Sequence, residues 1–313
     1  MANVTRLDSG EWQVSLPFLG EPQIIGSYLL AGENELAIID PGPGSTLEWL
    51  LAALREAGFD PWDVTHILLT HIHLDHAGAT GSLTRLLPRA QVYVHSLGAP
   101  HLIDPSRVLA SAARIYGDRM KLLWGDIEAT PADRVQRIGD GDTLNVAGRQ
   151  LAIYYTPGHA IHHVSFFDAQ TRELFAGDVA GVRLPGVDYV RPPTPPPDID
   201  LEAWSASIAR IRQLHPSILY LAHFGPINDV ERHLDRLEAA LYKWGDFVLQ
   251  AMRDGKTEAE IIALLIEETQ PELEHVTQDA HTVQRYEIAA NYAMSAQGYM
   301  RYWKRLHPER LLA

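Results

Sequence analysis

Three imidazoles and a carboxylate fall within six consecutive residues: His71, His73, Asp75 and His76. They follow the apolar run Ile67-Leu68-Leu69 and precede Ala77-Gly78-Ala79. A lone histidine is usually a satisfied core or surface residue. Four metal-type donors beside a buried strand are another matter, because such groups are costly to bury unless something uses them. His71 and His73 are two apart, so at the end of a strand both side chains point the same way. Asp75 and His76 fall where the chain turns into the next helix and can face a second ion. Zinc takes about four ligands in a structural site, or three and a water in a catalytic one, so two ions need more donors than this cluster holds. Three later places supply candidates. His159 follows Leu151 to Tyr155 in Thr156-Pro157-Gly158-His159, Asp178 follows Glu173 to Ala176 and Gly177, and His223 follows Ile218 to Ala222. Each ends a short apolar run beside turn residues, which is how strands deliver ligands to one edge of a sheet.

This pattern resembles the metallo-β-lactamase superfamily in its binuclear HxHxDH metallo-hydrolase branch, the glyoxalase II and lactonase kind. The match covers about residues 20 to 226, with five motifs in the family's order. The resemblance implies an α/β fold, a four-layer αββα sandwich, here with a C-terminal helical extension. It implies that His71, His73 and His159 hold one ion, that Asp75, His76 and His223 hold a second, and that Asp178 bridges them. Asp40, which ends Leu36 to Ile39, is expected behind the ligands as their support. The implied cofactors are two divalent ions, zinc first, with iron or manganese open, since donor sets of this kind accept several metals.

The chemistry follows from those ligands. Two ions about 3.5–4 Å apart share a hydroxide and polarise a substrate oxygen. Two dications, two carboxylates and one hydroxide leave a formal surplus of one positive charge where an oxyanion would form. The expected enzyme is therefore a metal-dependent hydrolase whose bridging hydroxide attacks a small ester-like substrate: lactone, thioester or other ester. Asp75 and Asp178 are its catalytic carboxylates. The alternative is a mononuclear iron dioxygenase acting on a persulfide-type substrate with the same ligands. Subclasses of true β-lactamase use a cysteine ligand or lack the bridging Asp, and this chain has no cysteine and has Asp178. Lactonases of the family carry a tyrosine shortly after the bridging Asp, but here that place reads Val179-Ala180-Gly181-Val182, so Tyr189 is the nearest candidate to protonate the leaving group.

The elements that must position these residues read as follows. Val4–Leu7, Trp12–Leu16, Ile24–Leu30 and Leu36–Ile39 are strands, with Pro17 to Gly20 a loop that either flanks a pocket or is an exposed hairpin. Thr46 to Ala57 is an amphipathic helix, Val64 to Leu69 the strand that delivers the first ligands, Ala77 to Leu87 a helix and Gln91 to His95 a strand. Leu102 to Trp124 reads as a helical insertion that is either a pocket wall or a surface excursion. Val135–Ile138 and Thr143–Val146 flank a tight turn. His163 is read as structural and His162 is left open. Six prolines between positions 184 and 198 make a stiff wall that cannot join a central sheet. Asp200 to Leu214 is a helix before the strand to His223.

Beyond Pro226 the pattern is helical, so the chain divides into a catalytic region, 1–226, and a C-terminal helical region, 227–313. Asp229 to Met252 is one helix, Thr257-Glu258-Ala259-Glu260 is a capping box for a short second, and Thr282 to Leu306 is a long third. That third helix carries two apolar stripes where a half-wet helix needs one. The second covers the pocket, another subunit in a homodimer, or the same chain. A formal charge of −14 argues against nucleic-acid and anionic-membrane partners and leaves a small-molecule substrate. No apolar signal core opens the sequence, which points to the cytoplasm.

Overall fold

The computed structural model describes residues 3–312, in two compact units: Met1–Tyr155 with His162–Gly177, and Thr156–Ile161 with Asp178–Ala313. The first unit holds one seven-stranded sheet in sequence order. Its strands are β1 (Asn3–Arg6), β2 (Trp12–Phe18), β3 (Glu21–Ala31), β4 (Leu36–Ile39), β5 (Val64–Leu68), β6 (Gln91–His95) and β7 (Val135–Ile138). β1 to β4 form an antiparallel meander. From β4 onward the pairing is parallel, and each parallel step needs a helical crossover. α1 (Leu47–Glu56) joins β4 to β5, and α2 (Leu74–Ala77) and α3 (Thr80–Leu86) join β5 to β6. α4 (Ala99–Ile103), α5 (Ser106–Tyr116) and α6 (Met120–Trp124) join β6 to β7. β4 is buried along its whole length, as a parallel strand covered on both faces must be.

The helix expected over Leu102 to Trp124 is three pieces. Pro105 removes a backbone donor after α4, and Gly117, at φ 51°, turns the chain after α5. Leu19 and Gly20 both take positive φ, 54° and 83°, which makes the β2–β3 connection the tight two-residue hairpin that matches strand twist. Four further strands, β8 (Thr143–Val146), β9 (Arg149–Tyr155), β10 (Val164–Asp168) and β11 (Glu173–Phe175), pair antiparallel in sequence order. Tyr28 of β3 meets Phe175 of β11 edge-on at 5.6 Å, so the two sheets face each other across a shared apolar core.

The second unit is mostly helical: α7 (Leu201–Leu214), α8 (Val230–Arg253), α9 (Glu258–Val276), α10 (Ala280–Ala289) and α11 (Tyr292–Leu306). It also carries a small hairpin, β12 (Ile218–Tyr220) with β13 (Pro226–Ile227). α9 opens on the predicted capping box, Thr257 with Glu260, but runs on through Pro271 to Val276. The long third helix is broken at Ala290, and Asn291 caps the restart by accepting from the Met294 N–H at 3.0 Å. The second apolar stripe is covered within this unit. Tyr292 stacks on Trp244, Tyr299 donates to the Leu241 carbonyl, and Trp303 donates to the Gly245 carbonyl. Among the described residues no helix is long and apolar enough to cross a membrane.

Candidate metal centre

Four of the seven predicted ligands lie in the first unit, on the turn that follows β5. His71 and His76 are completely buried, while His73 and Asp75 are half-buried. Asp40 organises them. It ends β4 at φ 51°, a left-handed conformation that costs a non-glycine residue roughly 1 kcal/mol and that Asp tolerates better than most. From there its Oδ1 accepts the Thr70 N–H at 2.8 Å and its Oδ2 the Thr70 hydroxyl at 2.7 Å. The same Oδ2 lies 3.0 Å from His76 Nδ1. With its own proton on Asp40, the Thr70 hydroxyl accepts from His71 Nδ1 at 3.0 Å. One carboxylate thus assigns the Nδ1–H tautomer to both rings and puts their Nε2 lone pairs on the other side.

His71 Nε2 lies 3.0 Å from His73 Nδ1, and the His71 and His76 rings are 4.0 Å apart. Two nitrogens held by one zinc at 2.0–2.1 Å in tetrahedral geometry stand about 3.3 Å apart, so the pair is spaced as two ligands of one ion. Asp75 reaches His76 Nε2 at 3.6 Å. His162 and His163 stand behind these donors, their rings 6.2 and 5.1 Å from that of His71. Gly177 packs where any Cβ would meet His163 Nε2 and Thr70 Oγ1 at 2.7 Å.

An aromatic cluster flanks this half. Phe18, from the predicted loop, is buried and stacks on Trp124 at 5.5 Å, and Tyr116 meets Trp124 edge-on. The Tyr116 hydroxyl is pushed up to about 12 by burial, with the Asp75 charge adding to the shift.

The other three ligands lie in the second unit and are all buried. His159 Nδ1 donates to the Pro193 carbonyl at 2.8 Å, leaving Nε2 as the basic nitrogen, 3.3 Å from Asp178 Oδ2. His223 Nε2 lies 3.5 Å from Asp178 Oδ1. The carboxylate therefore turns one oxygen to each histidine, at separations at or beyond the hydrogen-bond limit. Trp204 of α7 donates to the Val179 carbonyl at 2.7 Å, and His233 of α8 to the Ala180 carbonyl at 2.7 Å, so two helices pin the turn after Asp178. Gly158, at φ 132°, lies so close to α7 that a Cβ would sit 2.3 Å from the Trp204 backbone.

Tyr189 lies in the same unit. Its ring meets Tyr286 edge-on at 5.4 Å and the Arg191 guanidinium at 5.9 Å, and burial pushes its hydroxyl upward. Thr70, Pro193, Trp204 and His233 are the site's unforeseen supports. Thr70 stands in the motif itself, and Pro193 in the proline run. The two helix residues carry no local signal. In each unit the donors are imidazole nitrogens and carboxylate oxygens, which is the donor chemistry of a divalent metal.

The chain matches the family model described as the metallo-β-lactamase superfamily over residues 21–223. It is 30% identical over 222 residues to the metallo-β-lactamase fold-containing protein ST1585 of Sulfurisphaera tokodaii, covering 69% of this chain and 79% of that one. It is 28% identical over 221 residues to an atrochrysone carboxyl ACP thioesterase of Aspergillus fumigatus, 69% of this chain and 56% of that one, so it spans only about half of that relative's length. The crystal structure of the metallo-β-lactamase family protein TTHA1429 from Thermus thermophilus superposes with a TM-score of 0.67 at 26% identity, covering 90% of this chain and 88% of that one. The chain therefore belongs to the metallo-β-lactamase superfamily, with that family's α/β sandwich fold, and is an enzyme of its metallo-hydrolase branch.

Proposed function

We propose that the chain is a binuclear hydrolase of a small ester-like substrate, a thioester first among them. By the family resemblance, His71, His73 and His159 are assigned to one ion, Asp75, His76 and His223 to a second, and Asp178 to both. The observation that carries this reading is Asp178, with Oδ2 toward His159 and Oδ1 toward His223. A bridging donor needs two oxygens with separately directed lone pairs, and a carboxylate has them. Bound there, a pair of divalent ions supplies Lewis acidity and lowers the pKa of a water it holds from about 15.7 toward 7.

The chain's own residues do the rest. Asp40 and Thr70 keep the Nδ1 protons on His76 and His71, and the Pro193 carbonyl keeps the one on His159, so each ring presents a basic nitrogen without reorganising. Burial of His71, His76, His159, Asp178 and His223 excludes bulk water and strengthens every charge interaction at these groups. Asp75, half-buried where His71 and His76 are fully buried, is assigned to the substrate side of the donors. A thioester is put first because the Aspergillus fumigatus relative is named for hydrolysing one.

The test is a panel of thioesters, lactones, phosphodiesters and β-lactams given to the metal-loaded protein. The expected result is thioester turnover that disappears with chelation and returns with metal. A fully loaded protein that turns over no ester would overturn the reading. In the same assay a fall of about 10² in Tyr189→Phe would fit a leaving-group donor, and an unchanged rate would remove Tyr189 from that role.

A further inference from the structure

All three second-unit ligands are tied to one backbone segment, and a single buried cation holds that segment from behind. Arg191 is fully buried. Its backbone pairs both ways with Val182, at 3.0 and 2.9 Å, and Val182 in turn bridges His223. Arg183 adds an N–H bond to the His223 carbonyl at 2.9 Å. Two residues on from Arg191, the Pro193 carbonyl receives the His159 Nδ1 proton. Before Val182, the Gly181 N–H bonds the Asp178 carbonyl at 3.0 Å.

The Arg191 side chain points the other way, into the C-terminal helices. Nη1 donates to the Ala290 carbonyl at 3.1 Å, the one exposed by the break between α10 and α11, and Nη2 to the Tyr292 hydroxyl at 2.8 Å. The guanidinium lies 4.2 Å from the Tyr292 ring, 5.4 Å from Tyr286 and 5.7 Å from Trp244. The Glu287 carboxylate stands off at 3.8 Å. A cation buried this way is expensive, and an apolar residue of similar volume usually packs as well or better. Cation–π contacts offset part of that cost. What the guanidinium adds over an apolar residue is direction: two donors aimed at two fixed acceptors, which locate the Val190–Pro193 backbone.

We propose that Arg191 is a positioning residue through which the α10–α11 junction sets the placement of His159 and His223. This rests on the metal reading above. In chain order the linkage is Tyr292 and Ala290 to Arg191, then Val182 to His223 and Pro193 to His159.

The test is zinc affinity by chelator competition, read alongside circular dichroism and thermal melting. Removing a supporting partner of a metal ligand weakens binding by about 10–100-fold. Arg191→Met and Arg191→Lys should bind zinc at least about tenfold more weakly. Tyr292→Phe, which keeps the ring and deletes one acceptor, should shift affinity in the same direction by about threefold. Trp303→Phe is the control, because it deletes a buried hydrogen bond between α11 and α8 that does not lead to the segment; its zinc affinity should stay at the wild-type value. Folded Arg191 and Tyr292 variants that bind zinc like wild type would overturn the proposal, as would an equal loss in Trp303→Phe. If the Arg191 variants do not fold, Tyr292→Phe against Trp303→Phe decides. A wild-type chain that binds no zinc would instead remove the metal reading itself.

Discussion

His233 shows how one side chain serves the site and sets a limit on it. Its Nε2 donates to the Ala180 carbonyl in the turn that carries Asp178. Burial holds its pKa down to about 4; the Ala180 bond and Asp229 oppose that shift, while Arg183 and Arg236 add to it. In the unfolded chain the same imidazole titrates near 6.5. Above that pH neither state binds the proton and stability is flat. Between about 6.5 and 4 the unfolded chain gains a proton the folded chain refuses, so stability falls as pH falls, by on the order of 3 kcal/mol at the bottom of the window. His66 and His95, also lowered by burial, act in the same direction. His233→Gln keeps a donor for Ala180 and removes the titration. Denaturant melts across this pH range should show a shallower slope for that variant, and an identical slope would assign the acid loss to other groups.

At the scale of elements, the positions of the ligands depend on close approaches more than on propensity. Gly158 touches the α7 backbone at Trp204, and a Cβ there meets backbone atoms that cannot swing aside. Gly158→Ala should therefore cost about 2 kcal/mol or more and displace His159. The check is a melting curve with a metal assay, and a variant with wild-type stability and metal content would show that the contact is soft.

Much of this layer is legible from the sequence. The strands over 36–39, 91–95 and 135–138 and the capping box at Thr257 can be read because alternation, burial runs and cap chemistry are local signals. The same holds for the first ligand cluster, whose donors sit within one turn. The insertion over 102–124 reads as one helix when its apolar spacing is weighed above Pro105 and Gly117, whereas in the fold these residues end each piece. The break at Ala290 is invisible in the sequence because its carbonyl is satisfied by Arg191, about 100 positions away. Trp204 and His233 escape for the same reason: they act through backbone carbonyls that sequence does not reveal.

For the molecule as a whole, the donors fall into two sets far apart in sequence. One is built on Asp40 in the first unit, the other on Asp178 in the second. Metal content per chain, measured on wild type and on Asp178→Asn, separates a two-ion hydrolase from a one-iron oxygenase. Asn keeps the size of the side chain but loses one of the two anionic oxygens. A binuclear hydrolase should hold two divalent ions in the wild-type protein, turn over ester without oxygen, and lose both turnover and metal in the variant. One iron per chain with oxygen uptake, or a variant that keeps two ions and full activity, would rule out a binuclear site bridged by Asp178.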